Sequence, residues 1–310
     1  MLILHLSDIH FRYPICTTDR DPDRPFRTRL LQHAREQRSK LGPIDAILVG
    51  GDIAFAGKPE EYKVARAWLY ELAVACGCKH ERIYVIPGNH DIDRDIIRGS
   101  LFVQNAQQAI IRADNKESEL NRQLNHKDTG PELLKPLAGY NDFAASFSCQ
   151  VFAPEQVLWH SDLPLAGSVK LRIYGLTSTI LSGARAPTKG DDERRDLYLG
   201  PHQTVLDPID NVVNLVMCHH PPDWLSDGDR ALDDINGRAA IHLFGHKHRQ
   251  RIVRDSDYVT FSAGAVNPDR QEKDWRPSAD LVAAPPVVAV KPASTNPIRS
   301  LPSPMALPSP

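Results

Sequence analysis

Five short motifs in this chain combine the side chains that most often hold metal ions or move protons. They are Asp8-Ile9-His10, Gly50-Gly51-Asp52, Gly88-Asn89-His90-Asp91, His219-His220-Pro221-Pro222 and Gly245-His246-Lys247-His248. In an extended segment, residues i and i+2 face the same way, so the Asp8 carboxylate and the His10 imidazole converge on one point. A carboxylate and an imidazole together suit a metal ion.

Each motif follows a short aliphatic run that has the composition of a β-strand. Strands are predicted over residues 2–7, 45–49, 82–86, 169–176, 212–218, 240–244 and 258–262, with a further strand over 251–253. Ligands of open α/β sheets bind beyond the carboxyl ends of the strands. Asp8 alone could cap a turn, and Asn89 alone could occupy a left-handed turn. Five motifs in equivalent positions instead predict one shared site.

Helices are predicted between the strands, over residues 26–40 and 59–76, where Val64, Trp68 and Leu72 form an apolar stripe. The alternation of strands and helices predicts an α/β fold with helices covering a sheet. Residues 93–148 have a helical pattern only, over 96–112, 117–126 and 133–147. We expect this insertion to cap one end of the sheet and select substrates. The alternatives are a structural packing element or a surface for homodimer formation.

The C-terminal segment differs in composition from the rest of the chain. From Pro277 to Pro310 it has nine prolines and neither glycine nor aromatic residues. We therefore predict a folded domain over residues 1–268 and an extended or disordered proline-rich tail over 269–310. The apolar stretch 281–290 is compatible with an edge strand, but its prolines favour a free polyproline-like segment.

The composition is that of an ordinary globular protein. The 310 residues include 41% hydrophobic residues, and 37 basic against 39 acidic residues leave a net charge of −2. This balance does not favour a nucleic-acid or membrane partner. The sequence lacks a long apolar run and a basic, cleavable start, so a cytoplasmic location is expected. The five cysteines are odd in number and unevenly spaced, which predicts reduced thiols.

Taken in order, the five motifs resemble those of the calcineurin-like metallophosphoesterases, over about residues 1–267. Within that superfamily they are most similar to the branch of cyclic-nucleotide and glycerophosphodiester phosphodiesterases. The resemblance implies a four-layer α/β/β/α sandwich whose catalytic domain spans residues 1–268. It also implies a centre of two metal ions at the upper edge of that sandwich.

The resemblance further implies which side chains hold each metal ion. The ligands of the first ion would be Asp8, His10, Asp52 and His248. Those of the second would be Asp52, Asn89, His219 and His246, with Asp52 bridging the two ions. His219 is preferred to His220 because it leaves its strand directly, at the position of the ligand in the family. Imidazole and oxygen donors without thiolate suit manganese, iron or zinc, but do not decide between them.

Two metal ions in one site can activate water and hold a phosphoryl group between them. A centre of this kind therefore predicts phosphoester hydrolysis. His90 would face the substrate, protonating the leaving oxygen or stabilising phosphoryl charge. Asp91 would either orient His90 or act as a turn residue, and Arg12 and Lys247 would contact phosphate or remain solvated.

The favoured substrate is a small phosphodiester such as a cyclic nucleotide. One alternative is a DNA nuclease, which the near-neutral charge and the 7% aromatic content disfavour. Another is a non-catalytic metal-binding scaffold, which the presence of every motif disfavours.

Overall fold

The computed structural model describes residues 1–188 and 190–267 in full and residues 280–283 by their backbone. The strands of these residues are β1 (Leu2–Leu6), β2 (Ala46–Val49), β3 (Ile83–Val85), β4 (Leu158–Ala166), β5 (Val169–Leu176), β6 (Val212–Cys218), β7 (Ile241–Phe244), β8 (Arg251–Arg254), β9 (Val259–Ser262) and β10 (Asp280–Ala283). They form a four-stranded sheet of order β10-β1-β2-β3 and a six-stranded sheet of order β4-β5-β6-β7-β9-β8.

The helices of the described residues are α1 (Arg24–Leu41), α2 (Pro59–Cys76), α3 (Arg94–Gly99), α4 (Leu101–Arg112), α5 (Lys116–Asn125), α6 (Thr129–Leu133), α7 (Ala138–Ala144), α8 (Pro201–Thr204) and α9 (Gly228–Asn236). Short 3₁₀ turns connect several of them. None of the helices in these parts of the chain combines the length and the apolar character that crossing a membrane requires.

Parallel pairing brings the motif-bearing ends of the strands together. In the smaller sheet β1, β2 and β3 run parallel, and in the larger sheet β5, β6, β7 and β9 do so. Strand β2 is buried at every position, as expected for a parallel sheet that is covered on both faces. The α/β sandwich of two sheets and covering helices expected from the sequence is confirmed.

Specific contacts join the two sheets. The ring of Tyr84 in β3 stacks on Trp159 in β4 with 6.0 Å between the centroids. Ser161 Oγ donates a hydrogen bond of 3.1 Å to the Tyr84 hydroxyl. Near the site, the Val266 amide donates to the Ser7 carbonyl oxygen at 3.1 Å. These contacts fix the position of one set of strand ends relative to the other.

The helical segment between β3 and β4 is divided more finely than its sequence pattern predicts. The predicted helix 96–112 is split at Ser100, whose hydroxyl caps α4 by accepting from the Val103 amide at 3.3 Å. The predicted helix 133–147 is broken near Pro136, because proline cannot donate the backbone hydrogen bond that a helix interior needs. Gln107 of α4 donates to the Ile180 carbonyl oxygen at 3.1 Å, so this segment packs on the chain that follows β5.

Strand β4 and helix α9 were not predicted. Strand β4 lies at the edge of its sheet, and most of its positions are exposed or half-buried. It contains a proline as well as polar residues, which conceals the alternation typical of a strand.

Four residues of the predicted tail form a strand at the edge of a sheet, the alternative that the sequence left open. Residues Asp280–Ala283 form β10, which pairs antiparallel with β1 and places Ala283 opposite Leu2. The edge of β1 would otherwise present unpaired amide and carbonyl groups, and β10 pairs with them. The strand ends at Ala283, before Pro285. The remainder of the predicted tail, residues 269–279 and 284–310, lies outside the described residues, as does residue 268. The domain boundary at residue 268 therefore stays a prediction.

The packing between β4 and β5 predicts a strict requirement for glycine at position 175. A Cβ atom on Gly175 would overlap the Trp159 indole. We expect Gly175→Ala to lower the free energy of unfolding in urea by about 1–3 kcal/mol. The control is Gly99→Ala at the end of α3, where a Cβ meets no atom within 4 Å. It should leave stability unchanged or raise it by up to about 1 kcal/mol. Equal stability of the two variants would contradict the packing described here.

Candidate metal centre

The loops that carry the motifs hold their residues in an uncommon backbone conformation. Five of the eight non-glycine residues with positive φ among the described residues belong to the predicted ligand set: Asp8 (57°), His10 (54°), Asp52 (54°), His246 (67°) and His248 (54°). Such conformations cost about 1–3 kcal/mol each and persist only where the surroundings impose them. Here the amides of Asp8 and His10 donate to the carbonyl oxygens of Gly51 and Asp52 at 3.1 and 3.0 Å.

One group of ligand atoms gathers around the loop that follows β1. A carboxylate oxygen of Asp8 and ring nitrogens of His10 and His248 lie within 4.8 Å of one another. His248 Nε2 lies 3.1 Å from Asp8 Oδ1, and His10 Nε2 lies 3.2 Å from Asp52 Oδ2. The four residues expected to hold the first ion are therefore placed together.

A second group converges on the amide oxygen of Asn89. His246 Nδ1 lies 3.0 Å from Asn89 Oδ1, and His219 Nε2 lies 3.2 Å from it. A third imidazole, that of His220, also places its Nε2 3.2 Å from the same oxygen. The four residues expected for the second ion include Asp52, whose Oδ2 lies 3.4 Å from His219 Nε2.

The Asp52 carboxylate stands between the two groups. Its Oδ2 approaches His10 on one side and His219 on the other, while its Oδ1 accepts a 2.8 Å hydrogen bond from the His90 amide. Only 1% of the Asp52 surface is exposed. This is the position that a carboxylate bridging two ions requires.

The donor atoms fit transition-metal ions. A carbonyl oxygen has two lone pairs, so Asn89 Oδ1 cannot accept hydrogen bonds from all three imidazoles that surround it. A cation held near Asn89 Oδ1 would remove this conflict, because neutral imidazoles would then offer lone pairs to the ion. The buried carboxylates of Asp8 and Asp52 likewise face imidazoles. Nitrogen and oxygen donors in this proportion suit manganese, iron, zinc or cobalt.

Without a metal ion, the site balances its charge through protons on the histidines. Burial lowers the pKa of His219, but the nearby Asp52 and Asp8 carboxylates outweigh it and raise that pKa to about 9. Burial, aided by the charge of His219, lowers the pKa of His246 to about 4. Burial raises the pKa of Asp8, but its contacts with His248 hold that pKa well below its usual range. A metal ion held by His219 would have to displace the proton that this raised pKa favours.

His219 is oriented by a carbonyl group on the other sheet. Its Nδ1 donates a hydrogen bond to the Gly50 carbonyl oxygen at 2.7 Å. The other ring nitrogen, Nε2, therefore faces Asn89 and Asp52 and is the one that can bind a metal ion. Metal-binding histidines commonly have such a second hydrogen bond.

His90 lies beside the ligand atoms, half-buried against Phe55. Its ring stacks on Phe55 with 5.0 Å between centroids and an interplanar angle of 30°. His90 Nδ1 lies 2.8 Å from the Phe55 carbonyl oxygen, and the His90 ring lies 4.8 Å from that of His10. With Nδ1 donating to this carbonyl, Nε2 is the ring atom available to a substrate. Burial lowers the pKa of His90, although the Asp52 carboxylate opposes this effect.

The comparisons with known proteins agree with the motif order. The model of the calcineurin-like phosphoesterase family matches residues 1–250. The chain belongs to this family. It is 29% identical over 282 residues to an uncharacterized metallophosphoesterase-like protein of Bacillus subtilis, YydB, covering 86% of this chain and 53% of YydB.

Two further proteins are similar over different extents. Over 95 residues the chain is 36% identical to the glycerophosphodiester phosphodiesterase GpdQ of Enterobacter lignolyticus, covering 29% of this chain and 30% of GpdQ. The solved structure of a dimetal phosphatase from Danio rerio aligns with a TM-score of 0.43 at 13% identity, covering 86% of this chain and 89% of that one. This calcineurin-like phosphoesterase thus spans about half the length of YydB and under a third of GpdQ.

Three residues at the site of this calcineurin-like phosphoesterase were not found from the sequence. Phe55 stacks on the His90 ring. Trp224 contacts the His246 ring, with 4.0 Å between the centroids. Ser178 Oγ lies 2.9 Å from His220 Nδ1. Ser178 follows β5, so the strand-end rule could have found it. The two aromatic residues carry no such signal.

The two basic residues that flank the motifs differ in their contacts. Lys247 Nζ forms an ion pair of 2.6 Å with Asp223. The guanidinium of Arg12 instead lies 3.6 Å from the centroid of the Phe55 ring. Of the two, Arg12 is therefore the better placed to meet an anionic group of a substrate next to His90.

Asp91 has the contacts of a structural turn residue. Its carboxylate accepts hydrogen bonds from the amides of Gly88 (2.8 Å), Ala54 (2.9 Å) and Ile53 (3.2 Å) and from the Tyr62 hydroxyl (3.0 Å). These bonds fasten the loop after β3 to the loop after β2. Of the two roles considered for Asp91, they favour the turn residue over the partner of the His90 ring.

We predict that Asp91→Ala acts first on stability. The substitution leaves the three buried amides of Gly88, Ala54 and Ile53 without an acceptor, at about 1–3 kcal/mol for each group that stays unsatisfied. The Tyr62 hydroxyl keeps the Asp91 carbonyl oxygen as an acceptor at 3.3 Å. Urea unfolding should therefore show a loss of at least about 3 kcal/mol. Tyr62→Phe is the control, since it removes one of the four donors to the Asp91 carboxylate and should cost about 1 kcal/mol. If Asp91→Ala kept the stability of the unmodified chain while its turnover fell, an orienting role would be supported instead.

Proposed function

We propose that this chain hydrolyses phosphodiester bonds of small substrates at a centre of two metal ions. The observation that carries the proposal is the placement of His90. A ring nitrogen of His90 lies within 4.8 Å of ligand atoms of His10 and of the shared Asp52, so its free Nε2 could meet the leaving oxygen of a phosphodiester bound there. The similarity to a glycerophosphodiester phosphodiesterase supports a diester substrate, and a cyclic nucleotide is the favoured class.

The ions would be held by two sets of four residues that share Asp52. When bound, a pair of transition-metal ions supplies an activated water and neutralises charge on the phosphoryl oxygens. The chain contributes the geometry. The Gly50 carbonyl oxygen orients His219, and the left-handed backbone at Asp8 and His10 directs both side chains into the site.

The His90 imidazole would complete the reaction by handling a proton. The hydrogen bond from Nδ1 to the Phe55 carbonyl oxygen fixes the ring. Burial makes the protonated ring the minor form at neutral pH, and Nε2–H of this form would donate to the departing alkoxide oxygen. That oxygen leaves as an alcohol, and His90 becomes neutral until it takes up a proton from water. A positioned acid of this kind contributes about 10²–10⁴ in rate.

The helices between β3 and β4 would act as the cap of this site. Helix α3 begins at Arg94, four residues after His90. The Arg94 guanidinium donates a hydrogen bond of 2.6 Å to the Asp191 carboxylate. This ion pair joins the segment to the loop that follows β5. Homodimer formation through the same helices and a cytoplasmic location remain predictions.

The substrate class is tested by comparing four compounds after metal removal and reconstitution. We expect the chain reloaded with Mn²⁺ or Zn²⁺ to hydrolyse bis(p-nitrophenyl) phosphate and cyclic AMP faster than p-nitrophenyl phosphate. Single-stranded DNA should be a poor substrate, since the charge of the chain is near neutral. The metal-free chain should be inactive in every assay. A preference for the monoester would contradict the proposal, and a preference for DNA would favour a nuclease.

The role of His90 is tested by separating turnover from metal content. We expect His90→Ala to lower kcat by about 10²–10⁴ while the bound metal, measured by mass spectrometry, stays unchanged. The matched control is His33→Ala, because His33 is exposed on α1 and should alter neither quantity. Parallel losses of metal and activity in His90→Ala would make His90 a ligand and would contradict its assignment as the acid.

A further inference from the structure

His220 is a buried histidine to which the proposed reaction gives no role. None of its surface is exposed, and its ring centroid lies 4.8 Å from that of His219 and 4.6 Å from that of His246. Its Nε2 is one of the atoms around Asn89 Oδ1, at 3.2 Å. Ligand atoms of His219, His220 and His246 all lie within 4.8 Å of one another.

A hydrogen bond at Nδ1, on the side of the ring away from Asn89, fixes the orientation of the His220 ring. Ser178 Oγ, at the end of β5, lies 2.9 Å from His220 Nδ1 and accepts a hydrogen bond of 3.3 Å from the His220 amide. This contact occupies Nδ1 and directs Nε2 toward Asn89. A metal-binding histidine is typically held in this way, with the remote ring nitrogen bonded to a neighbour.

The distances match those between neighbouring ligands of one ion. Two ligand atoms bonded to a transition-metal ion at about 2.1 Å, with a right angle between the bonds, lie about 3.0 Å apart. The three imidazole nitrogens lie 3.0 Å, 3.2 Å and 3.2 Å from Asn89 Oδ1. His220 Nε2 thus lies at nearly the same distance from Asn89 Oδ1 as the ring nitrogens of His219 and His246. This distance is the one expected between two ligand atoms of a single ion.

We propose that His220 Nε2 is a further ligand of the second metal ion, beside Asp52, Asn89, His219 and His246. This inference rests on the metal centre under "Proposed function" but not on its substrate. Its consequence is an asymmetric centre, because the second ion has five ligands from the chain and the first has four. The second ion should therefore be the one that the chain retains during partial removal of metal.

A structure of the chain loaded with Zn²⁺ provides the direct test. Crystals grown with Zn²⁺ alone should show, by anomalous scattering, a metal peak about 2.0–2.2 Å from His220 Nε2. A peak coordinated by His219 and His246 but more than about 3 Å from His220 Nε2 would overturn the proposal. His220 would then only donate a hydrogen bond to Asn89. This measurement needs no substitution, so it also decides the matter if a variant fails to fold.

Metal affinity provides the second test, on the full-length chain. We expect His220→Ala to weaken binding of the more tightly held Zn²⁺ by more than about 100-fold in competition with a chelator. Ser178→Ala keeps the imidazole and is the matched control, with an expected loss of about 10-fold. Circular dichroism verifies that both variants fold.

The second test has two further outcomes. His220→Ala with unchanged affinity would overturn the proposal. Tight Zn²⁺ binding that depends on His220, in a chain without phosphodiesterase activity, would support this proposal while contradicting the proposed function.

Discussion

The structure depends on gathering like-charged carboxylates in a site from which water is largely excluded. Asp8 and Asp52 are almost completely buried, and the charged groups placed against them are imidazoles. A buried carboxylate is costly unless a partner compensates its charge. In the metal-free chain the raised pKa values of His219 and His10 provide this compensation, and metal ions would supply it when bound. The ligand geometry and the altered pKa values both follow from this constraint.

The sheets supply the rigidity that this arrangement requires. Each ligand-bearing loop begins at the end of a parallel strand that is hydrogen-bonded to its neighbours, so the loops cannot move apart independently. Contacts between the sheets, such as that of His219 with the Gly50 carbonyl oxygen, join the two halves. The unfavourable left-handed conformations at five ligand positions persist because the surrounding sandwich imposes them. Part of the stability of the sandwich is thereby used to prearrange the site.

A division of roles follows among the four residues of the loop after β3. Asn89 faces the imidazoles of the second group, and His90 lies against Phe55 with one ring nitrogen free. Asp91 turns away and accepts hydrogen bonds from two amides of the neighbouring loop and from the Gly88 amide of its own loop. One short motif therefore provides the proposed ligand Asn89, the proposed proton donor His90 and a structural anchor, Asp91. The anchor keeps the other two in position, because it fastens this loop to the one that carries Asp52.

The amino-acid sequence alone predicts the α/β sandwich and the meeting point of the motifs. Both follow from local patterns, since aliphatic runs predict strands and the carboxyl ends of parallel strands share one edge. Only the tertiary structure decided that Asp91 fastens two loops, that Ser178 turns the His220 ring inward and that Phe55 supports His90. It also showed that residues Asp280–Ala283 pair with β1 instead of remaining free. These features join residues that lie far apart in the chain, and no local pattern records which distant partner a side chain or a strand edge will meet.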